Sequence, residues 1–318
     1  MDKPVDLLHA EPALAWKLAV NILGKDEDSP EALHARTEVR QAPLVKALIE
    51  TCDRSHIAYK KWDGAHWVLS ILGDLGYPAG DETLRPLMED AFNTWMSKEH
   101  ETKHLRVIEG RVRRCASQEG YAIWSSLRLG FADSRTDELV SRLLKWQWPD
   151  GGWNCDKLPS ADTSSFMESL IPLRALALYA RVSGDAKARA AAEQAAEVFL
   201  TRQLFRRRSD GQVINQHFVK LHYPLYWHYD ILFSLKVMAE AGFIGDPRCA
   251  AGLALLESKR LPDGGFPAEE SYARTNRPQL SGYSPVSWGR TSRKTMQPFV
   301  TADALYVLKM AGRLPEAV

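Results

Sequence analysis

The sequence predicts an all-α protein in which about six helical hairpins close into one ring, inner helices surrounded by outer ones, as a single domain over residues 1–318. Three observations predict it. Apolar helical segments end at glycines, Gly24, Gly76, Gly130, Gly184, Gly242 and Gly312, at intervals of 52, 54, 54, 58 and 70 residues. Glycine directly after an apolar-periodic run is the residue that takes the left-handed conformation closing a helix. Between these segments lie more charged, amphipathic ones, and three of those run into an Asp-Gly turn.

In chain order, AVNILG opens the ring and LGDLG ends the second inner helix, followed by an outer helix over 83–98. SLRLG ends the third, with its outer helix over 136–148 and the turn WPDGGWNCD. SFMESLIPLRALALYA is the fourth, followed by 186–205 and RSDGQVI. YWHYDILFSLKVMAEA is the fifth, followed by 246–260 and LPDGGFPAE. PFVTADALYVLKMA is the sixth and has no outer partner after it, so the N-terminal segment is expected to complete the ring. The inner segments carry few charges around their circumference, as helices covered on most sides do.

Composition narrows the function classes. Hydrophobic residues make 45% and charged residues 25% of the chain, a globular profile with a large core. Forty-one basic against forty acidic residues, scattered along the chain, give +1 and exclude nucleic acid as the main partner. No uncharged apolar run approaches the roughly 18 residues of a membrane span. The start, MDKPVDLLHAEP, lacks the basic and apolar regions of a signal peptide, which points to a cytoplasmic protein with no integral membrane contact. Its four cysteines are then free thiols or metal ligands. Ten tryptophans are many for a core built of Leu, Ile and Val, and imply flat aromatic surface put to use.

The ring of hairpins, with WQWPDGGWN and KRLPDGGF following outer helices, resembles the prenyltransferase and squalene-cyclase repeat superfamily from about Trp16 to Gly312. The resemblance implies an α/α toroid whose active site lies at the mouth formed by inner-helix N-termini. Counting back thirteen to sixteen residues from each glycine lands on Trp62 and Asp63, Cys115, Glu168, Trp227 and His228, and Gln297. The chemically dense stretches YKKWDGAHW, RRCASQEGY, DGGWNCDKLPSADTSSFME, LHYPLYWHYD and SPVSWGRTSRKTMQP fall at the same places.

Two kinds of chemistry are expected there. Cys115, Cys155 and His222 or His228 come from successive hairpins and form a thiolate and imidazole set suited to zinc, three as ligands with one position open. Protein prenyltransferases, as the resemblance has it, hold zinc through Asp, Cys and His; by offset from Trp153 these fall on Asp162, Ser164 and Trp227 or His228, so that ligand pattern is broken. Lanthionine-type cyclases use two cysteines and a histidine, closer to Cys115 and Cys155. The second chemistry is proton transfer by Asp63, Glu168, His228 and Asp230, with carboxylate pKa values raised by a narrow aromatic site. Trp62, His66, Arg114, Trp153, Tyr226 and Trp227 are expected to hold a small-molecule substrate, the rings by stacking and Arg114 by pairing with an anionic group.

No DxDD or DDxxD string is present, which disfavours squalene-type cyclization. The resemblance implies an enzyme of the terpenoid cyclase or prenyltransferase kind acting on a hydrophobic or ring-containing, isoprenoid-like substrate. The alternatives are a carbohydrate-active toroid, lyase or hydrolase, working through carboxylates and stacked Trp, and a non-catalytic binding or accessory subunit.

Overall fold

The computed structural model describes residues 11–55, 57–103, 105–276 and 281–314. Residues 1–10, on which most of the leader reading rests, lie outside them. Among the described residues there are six inner helices: α1 (Pro12–Lys17, continued by a π-helical turn Leu18–Ile22), α4 (Ala65–Asp74), α7 (Ala116–Arg128), α9 (Phe166–Ser183), α11 (Ile231–Glu240) and α13 (Pro298–Met310). The outer layer comprises α2 (Pro30–Gln41), α3 (Pro43–Glu50), α5 (Arg85–Met96), α8 (Ser134–Trp146), α10 (Ala186–Leu200) and α12 (Ala250–Glu257). Short α6 (Lys98–Lys103) follows α5.

Consecutive inner helices pack side by side from α4 through α7, α9 and α11 to α13, and α13 packs on α1. Trp16 of α1 lies against Gly76 at the end of α4 and Lys17 pairs with Asp74, so the circle closes as an α/α toroid. All six predicted terminating glycines have positive φ, between 66° and 84°. The segment before α11 is shorter in helix than the apolar pattern suggests: Asp230 caps the first turn by accepting from Phe233 N, and 221–229 are non-helical. A two-stranded hairpin absent from the sequence reading, β1 (Arg106–Ile108) and β2 (Arg111–Arg113), turns through Glu109 and Gly110, both at positive φ, the geometry of a tight hairpin turn.

The Asp-Gly-Gly-aromatic turn is a fastening. Gln147 Nε2 donates to Gly151 O (2.7 Å) and Ala191 O (2.8 Å), tying the turn to α10. Asp150 accepts from the backbone and hydroxyl of Ser164, and Trp153 Nε1 donates to Leu143 O. Gly151 sits at φ +98°, and a Cβ there would lie 2.2 Å from the Gln194 carbonyl oxygen, whereas Gly211 in the RSDG turn has open space around it. Gly151→Ala is therefore expected to cost at least the ~1–3 kcal/mol of a strained backbone, and Gly211→Ala no more than about 1–2 kcal/mol. Urea midpoints check this; equal midpoint shifts would mean that the close approach at Gly151 relaxes freely.

The ring's interior holds a buried ionic network. Lys17 (α1) bonds Asp74 (2.9 Å) and Asp303 (2.8 Å); Lys236 (α11) bonds the same two at 2.6 and 3.0 Å; Arg174 (α9) bonds Asp74 (3.0 Å) and Glu240. Three cations and three carboxylates join five of the six inner helices. A cavity of about 410 Å³ lies beside them at the C-terminal halves of the inner helices, walled by Trp16, Trp124 and Tyr306. Among the described residues no helix is long and apolar enough to cross a membrane.

Candidate functional site

The mouth end carries a second cavity, also about 410 Å³, between the starts of α4 and α7, the end of α5, and the loop leading to α9. Tyr59 and Trp95 are its flat walls. Arg113, Arg114 and Lys157 are its basic side, and His100, Cys115, Gln118 and Cys155 face it as well. Apart from Ile57, the remaining lining is polar.

Two reactive clusters meet there. Cys115, at the N-cap of α7, and Cys155, on the loop after Trp153, converge with Glu168 in the first turn of α9: two sulfurs and a carboxylate oxygen all within 4.8 Å of one another. Glu168 Oε2 accepts from Ser117 N (3.1 Å) and Ser117 Oγ (2.8 Å). Burial raises the Glu168 carboxyl above its usual range, against the lowering effect of those bonds. The hydrogen bond with Cys155, then burial, then the neighbouring Glu168 push the Cys115 thiol up as well. A thiol held in its protonated form is a poor nucleophile, so the pair does not read as a cysteine-nucleophile site.

The second cluster is His100, Glu119 and Arg114. His100 Nε2 lies 3.1 Å from Glu119 Oε1, and the same oxygen accepts from Arg114 Nε (3.1 Å) and Nη2 (2.7 Å). Arg114 Nη1 donates to the His100 carbonyl at 2.9 Å. Although burial works the other way, His100 and Arg114 hold Glu119 below the usual carboxylate range. An imidazole oriented by a buried carboxylate at a cavity wall is the arrangement of a general acid or base.

The other expected site residues are placed as follows. Asp63 pairs with Lys60 at 2.9 Å. Asp230 is a helix cap that also accepts from His222 N, and its Oδ2 lies 2.6 Å from His222 Nδ1, so His222 is bound to Asp230 and is not among the three clustered ligands. His228 stacks on Tyr272, ring centres 3.5 Å apart, and burial, then His222 and Lys61, push it down to about 3. Burial likewise brings buried His66 to about 3, and its Nδ1 lies 3.2 Å from Trp95 Nε1.

Trp62, Trp153 and Tyr226 are buried and line neither cavity. Trp62 stacks on Tyr226 and its indole donates to Tyr272 O, a packing role in place of the expected substrate contact. Trp227 is half-buried with the Lys61 amine 4.4 Å above its ring. Arg114 does reach the cavity, but its guanidinium is committed to Glu119. His100 escaped the glycine register because it lies on α6, beyond the outer helix; the i−5 and i+19 spacing of Trp95 and Glu119 around it carries no periodic signal.

Fold and site together define a helical ring with a pocket at its mouth that combines aromatic walls with charged and sulfur-bearing groups. No family model matches the chain, and no curated protein does. Among solved structures, the chain is similar to an unsaturated glucuronyl hydrolase responsible for the degradation of glycosaminoglycan, from Bacillus sp. GL1, at 14% identity over 94% of this chain and 84% of that one, TM-score 0.46. It is also similar to a protein from Actinoplanes at 19% identity over 98% of both chains, TM-score 0.43. Likenesses of this size carry no argument about residues or substrate. Of the prenyltransferase and squalene-cyclase resemblance, the structure supports the ring of hairpins.

Proposed function

We propose that this chain is an enzyme, a hydrolase or lyase, that acts by proton transfer on a small hydroxylated ring bearing a negative charge, a sugar acid or a glycoside of one. The observation that carries the reading is the mouth cavity, on which a carboxylate-oriented imidazole, a basic side and two flat aromatic walls all open. Aromatic faces stack on sugar rings, and guanidinium and ammonium groups suit a carboxylate. In this reading the His100 imidazole exchanges the proton with the substrate. Glu119 holds the ring's orientation, and Arg114 holds Glu119. The charged and hydrogen-bonding groups on the lining, Lys157, Thr94, Ser97 and Gln118 among them, fit a hydroxylated ring better than the isoprenoid chain expected from the family resemblance.

Intrinsic tryptophan fluorescence tests this, since Trp95 is a wall of the cavity. Glucuronate and a glucuronate-containing disaccharide are expected to change the emission saturably, with glucose binding at least about tenfold more weakly for want of the charge, a difference of 1.4 kcal/mol. A response to geranyl diphosphate and none to either uronate would restore the isoprenoid expectation and remove this reading.

A further inference from the structure

We propose that Cys115, Cys155 and Glu168 form a binding site for one divalent, thiophilic metal ion, with zinc as the best-fitting ion and its open coordination position facing the mouth cavity. This deepens the reading above, on which it rests for its functional meaning, by assigning the centre beside the proton-transferring imidazole.

The geometry points to a ligand set because three independent segments deliver one donor each to the same place. Cys115 comes from the start of the third inner helix, Cys155 from the loop after the Asp-Gly-Gly-Trp fastening, and Glu168 from the first turn of the fourth inner helix. Fifty-three residues separate Cys115 from Glu168, yet the donor atoms lie within 4.8 Å of one another, close enough for one ion to contact all three after small side-chain rotations. Two sulfurs select a soft or borderline cation, and the carboxylate completes a three-ligand set of the kind that leaves a fourth position for water or substrate.

A supporting shell is present as well. Ser117 holds Glu168 Oε2 through both its amide and its hydroxyl, the kind of outer contact that orients a ligating carboxylate. Cys115 stands at the N-terminus of the thirteen-residue helix α7 with its side chain making no capping bond. Both sulfurs are half-buried and border the cavity, which gives an ion a way in. His222, the imidazole ligand expected from sequence, is replaced in this set by Glu168.

The test uses the full chain, reduced, stripped of metal with a chelator and titrated with cobalt chloride, then with zinc chloride. The expected result is one equivalent of cobalt giving sulfur-to-cobalt charge-transfer and d–d absorption, bleached by one equivalent of zinc, with two fewer thiols reactive once zinc is bound. Cys115→Ala and Cys155→Ala are each expected to abolish the charge-transfer band. Ser117→Ala is expected to weaken the metal roughly 10–100-fold, as loss of an outer-shell contact does, and His222→Ala to leave the titration unchanged.

A folded, helical, reduced chain that shows no charge-transfer absorption overturns the proposal. So does a chain whose metal stoichiometry and spectrum survive both cysteine substitutions. Because Cys115→Ala can fail to fold, Cys115→Ser, which keeps size and polarity, is measured beside it and must also lose or strongly blue-shift the band. The two readings separate cleanly: uronate-dependent fluorescence in a chain that binds no metal removes the metal site alone, and stoichiometric zinc in a chain blind to uronates removes the substrate reading alone.

Discussion

Asp74→Asn is expected to destabilise the protein by about 3–5 kcal/mol, the cost of removing one partner from a buried ion network. Asp74 accepts from Lys17, Lys236 and Arg174, which sit on three other inner helices. The asparagine has nearly the same shape, so packing survives, but Lys17 and Lys236 are left with Asp303 alone between them. Urea denaturation with parent and variant side by side reads the change in midpoint at constant slope. A loss under about 1 kcal/mol would mean that the network behaves like a solvated surface cluster.

The same network gives a sign to the acid response. Burial would raise the Asp74 carboxyl, but the three cations hold it well below the usual range. A carboxylate depressed in the folded state contributes stability that is present above its unfolded pKa and lost as the pH falls through the folded one. His66 and His228 add to this: both are brought to about 3 in the fold and would ionise near 6.5 unfolded, so their neutral forms cost stability progressively as the pH drops from 6.5 towards 3. Parent stability is therefore expected to decline on acidification from neutrality, and Asp74→Asn to flatten the most acidic part of that decline.

His100→Gln is expected to lower kcat on a turned-over glucuronoside by roughly 10²–10⁴-fold with KM little altered, the loss typical of a missing general acid or base. Glutamine can keep a hydrogen bond to Glu119 but cannot carry the proton. Glu119→Gln is the companion measurement for a positioning residue. It keeps the shape of the side chain but weakens the contact that orients the imidazole, so kcat is expected to fall by less than in His100→Gln, with KM little altered. A purely structural role would lower the urea midpoint and leave kcat of the folded enzyme unchanged. Unchanged kcat in His100→Gln would take the imidazole out of the reaction.

The ring itself was legible because helix termination is a local matter. All six glycines taken as helix ends have the left-handed backbone that only glycine adopts cheaply. The register counted back from them also brought Cys115 and Glu168 to one level, and the structure places them together. What the register lacks is azimuth: it states how high a residue lies along the ring and not which way it faces. Asp63 and His228 are at the right height, yet Asp63 is spent on an ion pair with Lys60 and His228 is stacked on Tyr272. The tryptophan surplus misled for a related reason. Nine of the ten are buried, and several of their indole N–H groups donate to backbone carbonyls such as Tyr59 O, Leu143 O and Tyr272 O, partners that leave no mark in a sequence. His100 was unreadable because its position depends on how one hairpin's exit meets the next hairpin's entrance.

The bond between Lys17 and Asp303 joins residues 286 apart. On the ribosome, that lysine emerges destined for the interior and waits for 286 further residues before its last partner appears. Until then Lys17 and Lys236 have Asp74 as their shared carboxylate, without Asp303, and the apolar flank that receives the final helix stays uncovered. The interior of the ring is thus exposed through most of synthesis, and closure arrives late, with helix α13.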